Sequence, residues 1–239
     1  YLGAPGGAPS NVLAAASHLN MQTAFIGKVG NDVFGRLIRS TMERNGICTD
    51  GLLRSETEPT TLAFVSLDER GDRSFSFYRQ HSADCMLRSA ELPLTLLEQA
   101  GIFHFGSVSM TAEPVRSATL EAVRHARSKG AAIAFDPNLR LPLWPDTDSA
   151  YHAICEGLRY ADLVKLSEEE LEFLTKAADH TAGMRELLER YDIRMLVVTL
   201  GADGCLCLCR NGVFLRQHTI QVTALDTTGS GDAFWGTFL

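Results

Sequence analysis

Short apolar runs punctuate the chain at Thr23–Gly27, Ile102–Gly106, Ala131–Phe135, Leu163–Leu166 and Met195–Thr199. Several are rich in β-branched or aromatic residues, and all are too brief for helices, so each reads as a buried strand. Between them apolar residues recur at three- and four-residue intervals, as in Met184, Leu187, Leu188 and Tyr191. That spacing predicts helices over 10–19, 33–45, 114–129 and 181–191. Glu113-Pro114 supplies a start signal for one of them, and Gly130, after Lys129, its stop. Strand and helix alternating in this way predict an α/β fold with a largely parallel sheet covered by helices on both faces.

One region breaks the alternation. Thr60–Leu67 and Arg73–Tyr78 are extended runs flanking Asp68-Glu-Arg-Gly-Asp72, a turn-forming stretch, and together they predict a β-hairpin inserted between α/β units. Strand periodicity puts Phe75 and Phe77 on one face and Ser74, Ser76 and Tyr78 on the other. The aromatic face either covers a ligand or packs on the main sheet, and spacing alone leaves both open.

Composition adds limits. The 239 residues are 45% hydrophobic and 21% charged, with a formal net charge of −7 and no clustering of the basic residues. Disorder and small disulfide scaffolds are excluded, and neither nucleic acid nor an anionic membrane is an expected partner. No apolar run reaches the ~18 residues of a membrane span, and residues 1–9 lack the basic head and apolar stretch of a secretion signal. The expectation is a soluble, cytoplasmic protein. The first residue is not Met and Asp232–Leu239 reads as a helix that has only begun, so the chain is taken as an internal segment of a longer protein. Cys205, Cys207 and Cys209 alternate along a strand running into an Asn-Gly turn. At about 6.6 Å between successive thiols, from ~3.3 Å rise per residue, they are too spread for one tetrahedral zinc and are expected as core residues.

The chemistry concentrates at Asp226-Thr-Thr-Gly-Ser-Gly-Asp-Ala-Phe234. Gly229, Ser230 and Gly231 place permissive backbone directly before a helix, where consecutive N–H groups cradle an anion. Asp232 stands at the mouth of that cradle. A carboxylate there either caps the helix or accepts the proton of a hydroxyl attacking phosphorus, a role that needs position more than basicity.

This segment resembles the C-terminal signature of the ribokinase-like PfkB carbohydrate kinases, Asp-Thr-x-Gly-x-Gly-Asp-x-Phe. Pro5-Gly-Gly-Ala-Pro-Ser-Asn11 followed by Phe25–Gly35 is similar to the N-terminal signature of the same family. The resemblance implies a ribokinase-like α/β fold with a small β lid: residues 1–50 and 81–239 forming the kinase domain, incomplete at both ends, and 51–80 the lid. It implies ATP and Mg²⁺ as cofactors, with Asp226 and Thr227 where some relatives build a monovalent-cation loop. Asp232 would be the general base, with the amides of Gly229, Ser230 and Gly231 the anion hole. Gly6, Gly7 and Asn11 match the stretch that closes on sugar hydroxyls, and Asn11 would otherwise be a helix-start residue.

Further matches point to one subgroup. Phe77, Tyr78 and Arg79 resemble the lid motif of fructokinases and 2-keto-3-deoxygluconate kinases, although an exposed hairpin Arg needs no ligand. Asp136-Pro-Asn-Leu-Arg140 is similar to that subgroup's Asp-x-Asn-x-Arg segment. It makes Asn138 a substrate contact and Arg140 a phosphate contact, with Asp136 holding the loop. Lys165-Leu-Ser-Glu-Glu-Glu170 stands where the family often has Asn-x-x-Glu. Lys165 would then face the nucleotide and Glu170 the Mg²⁺ through water, while Ser-x-x-Glu is equally a helix-capping box. Thr199, Gly201 and Gly204 resemble the nucleotide-side turn. The implied activity is γ-phosphoryl transfer to a small sugar, fructose first, with 2-keto-3-deoxygluconate or a non-catalytic sugar or nucleotide sensor as alternatives. A homodimer joined through the lid is also implied, because an isolated two-stranded hairpin is marginally stable in water.

Overall fold

The computed structural model describes residues 3–67, 73–220, 222 and 227–239, with the backbone alone at 65–67 and 73–75. In chain order the elements are α1 (Ala8–His18), β1 (Thr23–Gly30), α2 (Val33–Arg44), β2 (Ile47–Ser55), β3 (Leu62–Leu67) and β4 (Arg73–Tyr78). They continue with α3 (Leu94–Gln99), β5 (Ile102–Phe105), α4 (Val115–Ser128), β6 (Ala132–Phe135), α5 (Thr147–Leu158) and β7 (Leu163–Ser167). The last are α6 (Glu168–Thr175), α7 (His180–Arg190), β8 (Met195–Thr199), β9 (Cys205–Cys209), β10 (Phe214–Gln217) and α8 (Ser230–Phe238).

The main sheet has six strands in the order β10-β9-β8-β7-β6-β5. From β5 to β8 neighbours are parallel, and β9 and β10 add an antiparallel edge. Alternation sends Val164, Leu166, Leu196 and Val198 to one face, where Leu97 of α3, Val123 of α4, Ile154 of α5, Leu171 of α6 and Met184 of α7 close over them. The other face carries Ala134 and Val197, covered by Val12 of α1 and Trp235 of α8. Both faces being buried, the central strands read as continuous apolar runs. The second layer is tight at one point: a Cβ at Gly236 would stand 2.1 Å from the carbonyl oxygen of Val12. Glycine there lets α8 touch the backbone of α1, which sets where the N-terminus of α8 sits.

Two features depart from the sequence expectation. Thr23–Gly27 forms part of β1, but β1 pairs in parallel with β2 in a separate two-stranded sheet. Its apolar run has the local character of a core strand, but the partner is β2 and residues 23–27 are only half-buried or exposed. The lid boundary expected between residues 50 and 51 falls inside β2. The hairpin itself lies where expected, with Leu62 opposite Tyr78 and Ala63 opposite Phe77, while the side chain of Phe75 lies outside the described residues. Asp32, the cap of α2, accepts from the Thr60 amide and hydroxyl, both at 2.8 Å, and so ties the start of the hairpin to α2.

The thiols on β9 meet the expectation in part, since Cys205 and Cys207 pack on the core layer of Val12, Ala134, Val197 and Trp235. Leu206 and Leu208 fill the core, while Cys205, Cys207 and Cys209 on the opposite face are only half-buried. No group of three His, Cys, Asp or Glu able to hold a metal occurs among the described residues. No described helix is long and apolar enough to cross a membrane.

Candidate active site

Three strands of the main sheet end beside one another. The segments that follow β6, β7 and β8 carry Asp136–Arg140, the Ser167–Glu170 turn and Thr199–Gly204, along the carboxyl edge where open α/β sheets bind ligands. Over this edge stands the N-terminus of α8. Gly229 caps the helix at φ 77°, left-handed backbone that favours glycine. The Ser230 amide turns back to Thr227 O at 3.1 Å, which engages it within the turn. Asp226 lies outside the described residues.

Asp232 occupies the first turn of α8 and is 9% exposed. Two asparagines hold its carboxylate. Asn11 Nδ2 donates to Oδ2 at 2.8 Å from α1, and Asn138 Nδ2 reaches Oδ1 at 3.4 Å from the loop after β6. The Asn138 backbone is left-handed, at φ 47°, and its amide bonds Asp136 Oδ1 at 3.1 Å. This local side-chain-to-backbone bond favours such a conformation at an Asn. Burial raises the Asp232 carboxyl above its ordinary range; the Asn11 bond and the charges of Lys165 and Arg140 pull it back. Held on both oxygens and beside two cations, the group suits a positioned base more than a cap, and α8 uses no side-chain cap.

Lys165 lies beneath the helix terminus, 6% exposed, and donates to Asp136 Oδ2 at 3.0 Å. A Cβ on Gly231 would come within 3.1 Å of its Nζ. Asp136 is 2% exposed, and burial pushes its carboxyl up against the pull of the Lys165 ammonium. Of this pair it is the Lys165 ammonium that lies under the amide cradle. On the same layer His104 of β5 is held at about 4 by burial, so it is neutral at physiological pH.

Glu170 does what its capping-box reading says and more. Oε2 accepts the Ser167 amide at 2.8 Å, the Glu170 amide returns to Ser167 Oγ at 3.2 Å, and Oε1 accepts the Leu139 amide at 2.7 Å. The residue thus locks α6 to the Asn138–Arg140 loop. Arg140 Nη1 bonds Leu139 O at 3.0 Å and stands near enough to act on Asp232. On the nucleotide side, Thr199 faces Ser167 across the β7–β8 register and bonds Leu166 O at 3.3 Å. Gly201 borders open space, whereas a Cβ on Gly204 would be pressed on the Gln217 carbonyl of β10.

Gly7 caps α1 and Gly6 borders open space beside it, so Gly6, Gly7 and Asn11 form one end of the site. The lid residues stand differently. Tyr78 is 69% exposed and meets Phe64 edge-on, with ring centroids 5.4 Å apart. Phe77 is half-buried on the opposite face. Arg79 turns toward the body: Nε bonds Asp84 Oδ2 at 2.7 Å, Nη1 bonds Thr111 Oγ1 at 2.5 Å and Nη2 bonds Val108 O at 3.0 Å. Sequence reasoning missed Asp84 and Thr111. The polar run Ser82-Ala-Asp84 just after Arg79 is a signal for the first, but nothing local marks Thr111, 32 residues away from Arg79.

Comparison with known proteins agrees with this geometry. The sequence pattern of the pfkB family carbohydrate kinases matches residues 3–239. The chain is 42% identical over 232 residues to probable fructokinase-6, chloroplastic, of Arabidopsis thaliana, covering 97% of this chain and 60% of that protein. It is 43% identical over 239 residues to fructokinase-1 of Zea mays, covering 100% and 74% respectively. The chain therefore spans between 60 and 74% of the length of these two relatives. The crystal structure of a Vibrio cholerae O395 fructokinase bound to fructose, ADP and a calcium ion superposes with a TM-score of 0.90 at 37% identity, covering 99% of this chain and 75% of that one. With its ribokinase-like sheet and with both signature segments converging on one buried carboxylate, the chain belongs to the pfkB family of carbohydrate kinases.

Proposed function

We propose that this chain carries the catalytic site of an ATP-dependent fructokinase. The observation that carries the reading is the Asp232 carboxylate, buried at the N-terminus of α8 and held on both oxygens by Asn11 and Asn138. The relatives named fructokinase, and the fructose and ADP bound to one of them, support the choice of sugar and nucleotide.

In the proposed reaction Asp232 takes the proton of a sugar hydroxyl as its oxygen bonds to the γ-phosphorus and the bond from that phosphorus to the ADP oxygen breaks. The transition state is loose, with charge spread over the phosphoryl oxygens, so position and charge stabilisation dominate. Gly229 and Gly231 amides offer donors for that charge, with Lys165 below and Arg140 beside the cradle. Asn11 links the two ends of the site, because the side chain next to Gly6 and Gly7 also orients the base. Thr199 and Gly201 border the nucleotide side. The donor set fits Mg²⁺ held through water: Glu170 offers buried carboxylate oxygens with lone pairs remaining, and Mg²⁺ ordinarily keeps several waters beside substrate phosphates. When bound, the ion neutralises the β- and γ-phosphate charge. Within residues 51–80 the β3–β4 hairpin acts as a lid on the α/β domain, and the exposed face of Phe64 and Tyr78 meets the lid of a second subunit.

The test is ADP release by the full-length protein against a panel of sugars. Fructose is expected to give the highest kcat/KM, and sedimentation at micromolar concentration is expected to show a dimer. No ADP release with any sugar overturns the kinase reading, a clear preference for 2-keto-3-deoxygluconate overturns the substrate, and a fully active monomer overturns the lid-mediated dimer.

A further inference from the structure

We propose that Arg79 is a positioning residue, one half of a clasp with Asp84 that fixes both ends of the β3–β4 hairpin on the 107–111 turn. The clasp passes that constraint on to the loop that carries Asn138. The inference rests on the reading of the hairpin as a lid, and deepens it by naming what sets the lid's attitude.

The side-chain geometry argues against a guanidinium waiting for a ligand. All three of its nitrogens are bonded to protein, and the side chain is 10% exposed. Asp84 is the hub. Its Oδ2 takes Arg79 from the end of β4, while its Oδ1 takes the hydroxyls of Thr61, at the start of β3, at 2.5 Å and of Ser82 at 2.6 Å. The Ala83 amide bonds Pro59 O at 2.9 Å. The two ends of the hairpin therefore converge on one carboxylate.

Contacts continue beyond the hairpin. Arg79 grips Val108 O and Thr111 Oγ1 on the 3-10 turn that follows β5. The same turn begins at Ser107, whose amide and hydroxyl both bond Pro137 O, at 2.9 and 2.6 Å. Pro137 immediately precedes Asn138, which reaches Asp232. A fork that bonds two different acceptors and an anion together is a task for arginine, since an ammonium is a compact point charge without that planar reach. Held this way, the lid meets the sugar in one attitude, and the ordering is complete before substrate arrives.

Positioning and direct contact predict different mutant patterns. Under the clasp, Asp84→Asn and Arg79→Lys each raise the fructose KM about tenfold while kcat and the ATP KM stay within about threefold, and the double variant is no worse than the more severe single one. Thr111→Val, which removes one acceptor and disturbs folding least, raises the same KM a few-fold. Amide hydrogen exchange supplies a readout independent of catalysis: Asp84→Asn is expected to speed exchange in 73–78 and in 107–111 together. If Arg79→Lys weakens fructose while Asp84→Asn and Thr111→Val leave it unchanged, Arg79 touches the sugar and the clasp is wrong. Additive effects of the two single variants, or unchanged exchange in 107–111, overturn it as well. Absence of sugar phosphorylation by the unaltered protein overturns the kinase reading instead, and leaves the exchange measurement to decide the clasp.

Discussion

Asp232→Asn in the full-length protein is expected to lower kcat about a thousandfold or more with little change in the fructose KM. The amide keeps the size of the carboxylate, and its oxygen still accepts from Asn11, but it cannot take the hydroxyl proton. The same substitution is expected to leave Tm unchanged or higher. A carboxyl whose folded pKa stands above its unfolded value contributes stability at low pH and loses it as pH rises through the folded value. For Asp232, raised by burial, the ionised form costs the fold stability at neutral pH. A coupled assay for ADP and a thermal scan together check this. Near-normal turnover would sink the assignment of the base, and a large fall in Tm would show that the residue serves the fold first.

Lys165→Met is expected to carry the next largest effect, a fall in kcat of about a hundredfold, as for loss of one preorganised charge at a phosphoryl site. Removing one partner of a buried ion pair costs about 3–5 kcal/mol, because Asp136 is left without its ammonium. Tm should therefore fall too. The groups that act on Asp232 are Asn11 from α1, Asn138 and Arg140 from the loop after β6, and Lys165 from β7, with Asp136 and the neutral His104 beside Lys165. Taking away the Lys165 charge raises the Asp232 pKa further, so the acid limb of kcat/KM moves to higher pH. The double variant Lys165→Met with Asp136→Asn separates the two roles: stability returns, since both charges are gone, while kcat stays low. Recovery of kcat along with Tm would show that Lys165 matters only as a structural partner.

How much of this is visible in the sequence depends on how local the determinant is. The helices α1, α2, α4 and α7 and the parallel strands follow from period and length. β1 is legible as a strand but its pairing is not, because Thr23–Gly27 looks the same whether its neighbour is β2 or a strand of the main sheet. β2 is hidden by polar positions, Thr49, Asp50 and Arg54, within a strand whose burial does not simply alternate. Asp232 and its glycines are legible because one contiguous segment holds them. Asn11 is legible as a candidate, but its bond to Asp232 is not, since periodicity says nothing about residues far apart in sequence. Arg79 shows the limit most plainly. Its residue type fits a ligand contact, and only its tertiary neighbours reveal that its donors are already engaged.

The bond from Asn11 to Asp232 spans 221 positions of sequence. Closing a loop of that length costs about 5 kcal/mol of chain entropy, and long-range closures of this kind form slowly. The sheet and its helices between these two residues are built largely from neighbouring segments and do not need the closure. During refolding, far-ultraviolet ellipticity should therefore return ahead of turnover, with the delay set by docking of α8 on α1. On the ribosome the same geometry leaves Asn11 and Asp232 apart until α8 has emerged, however complete the earlier layers are.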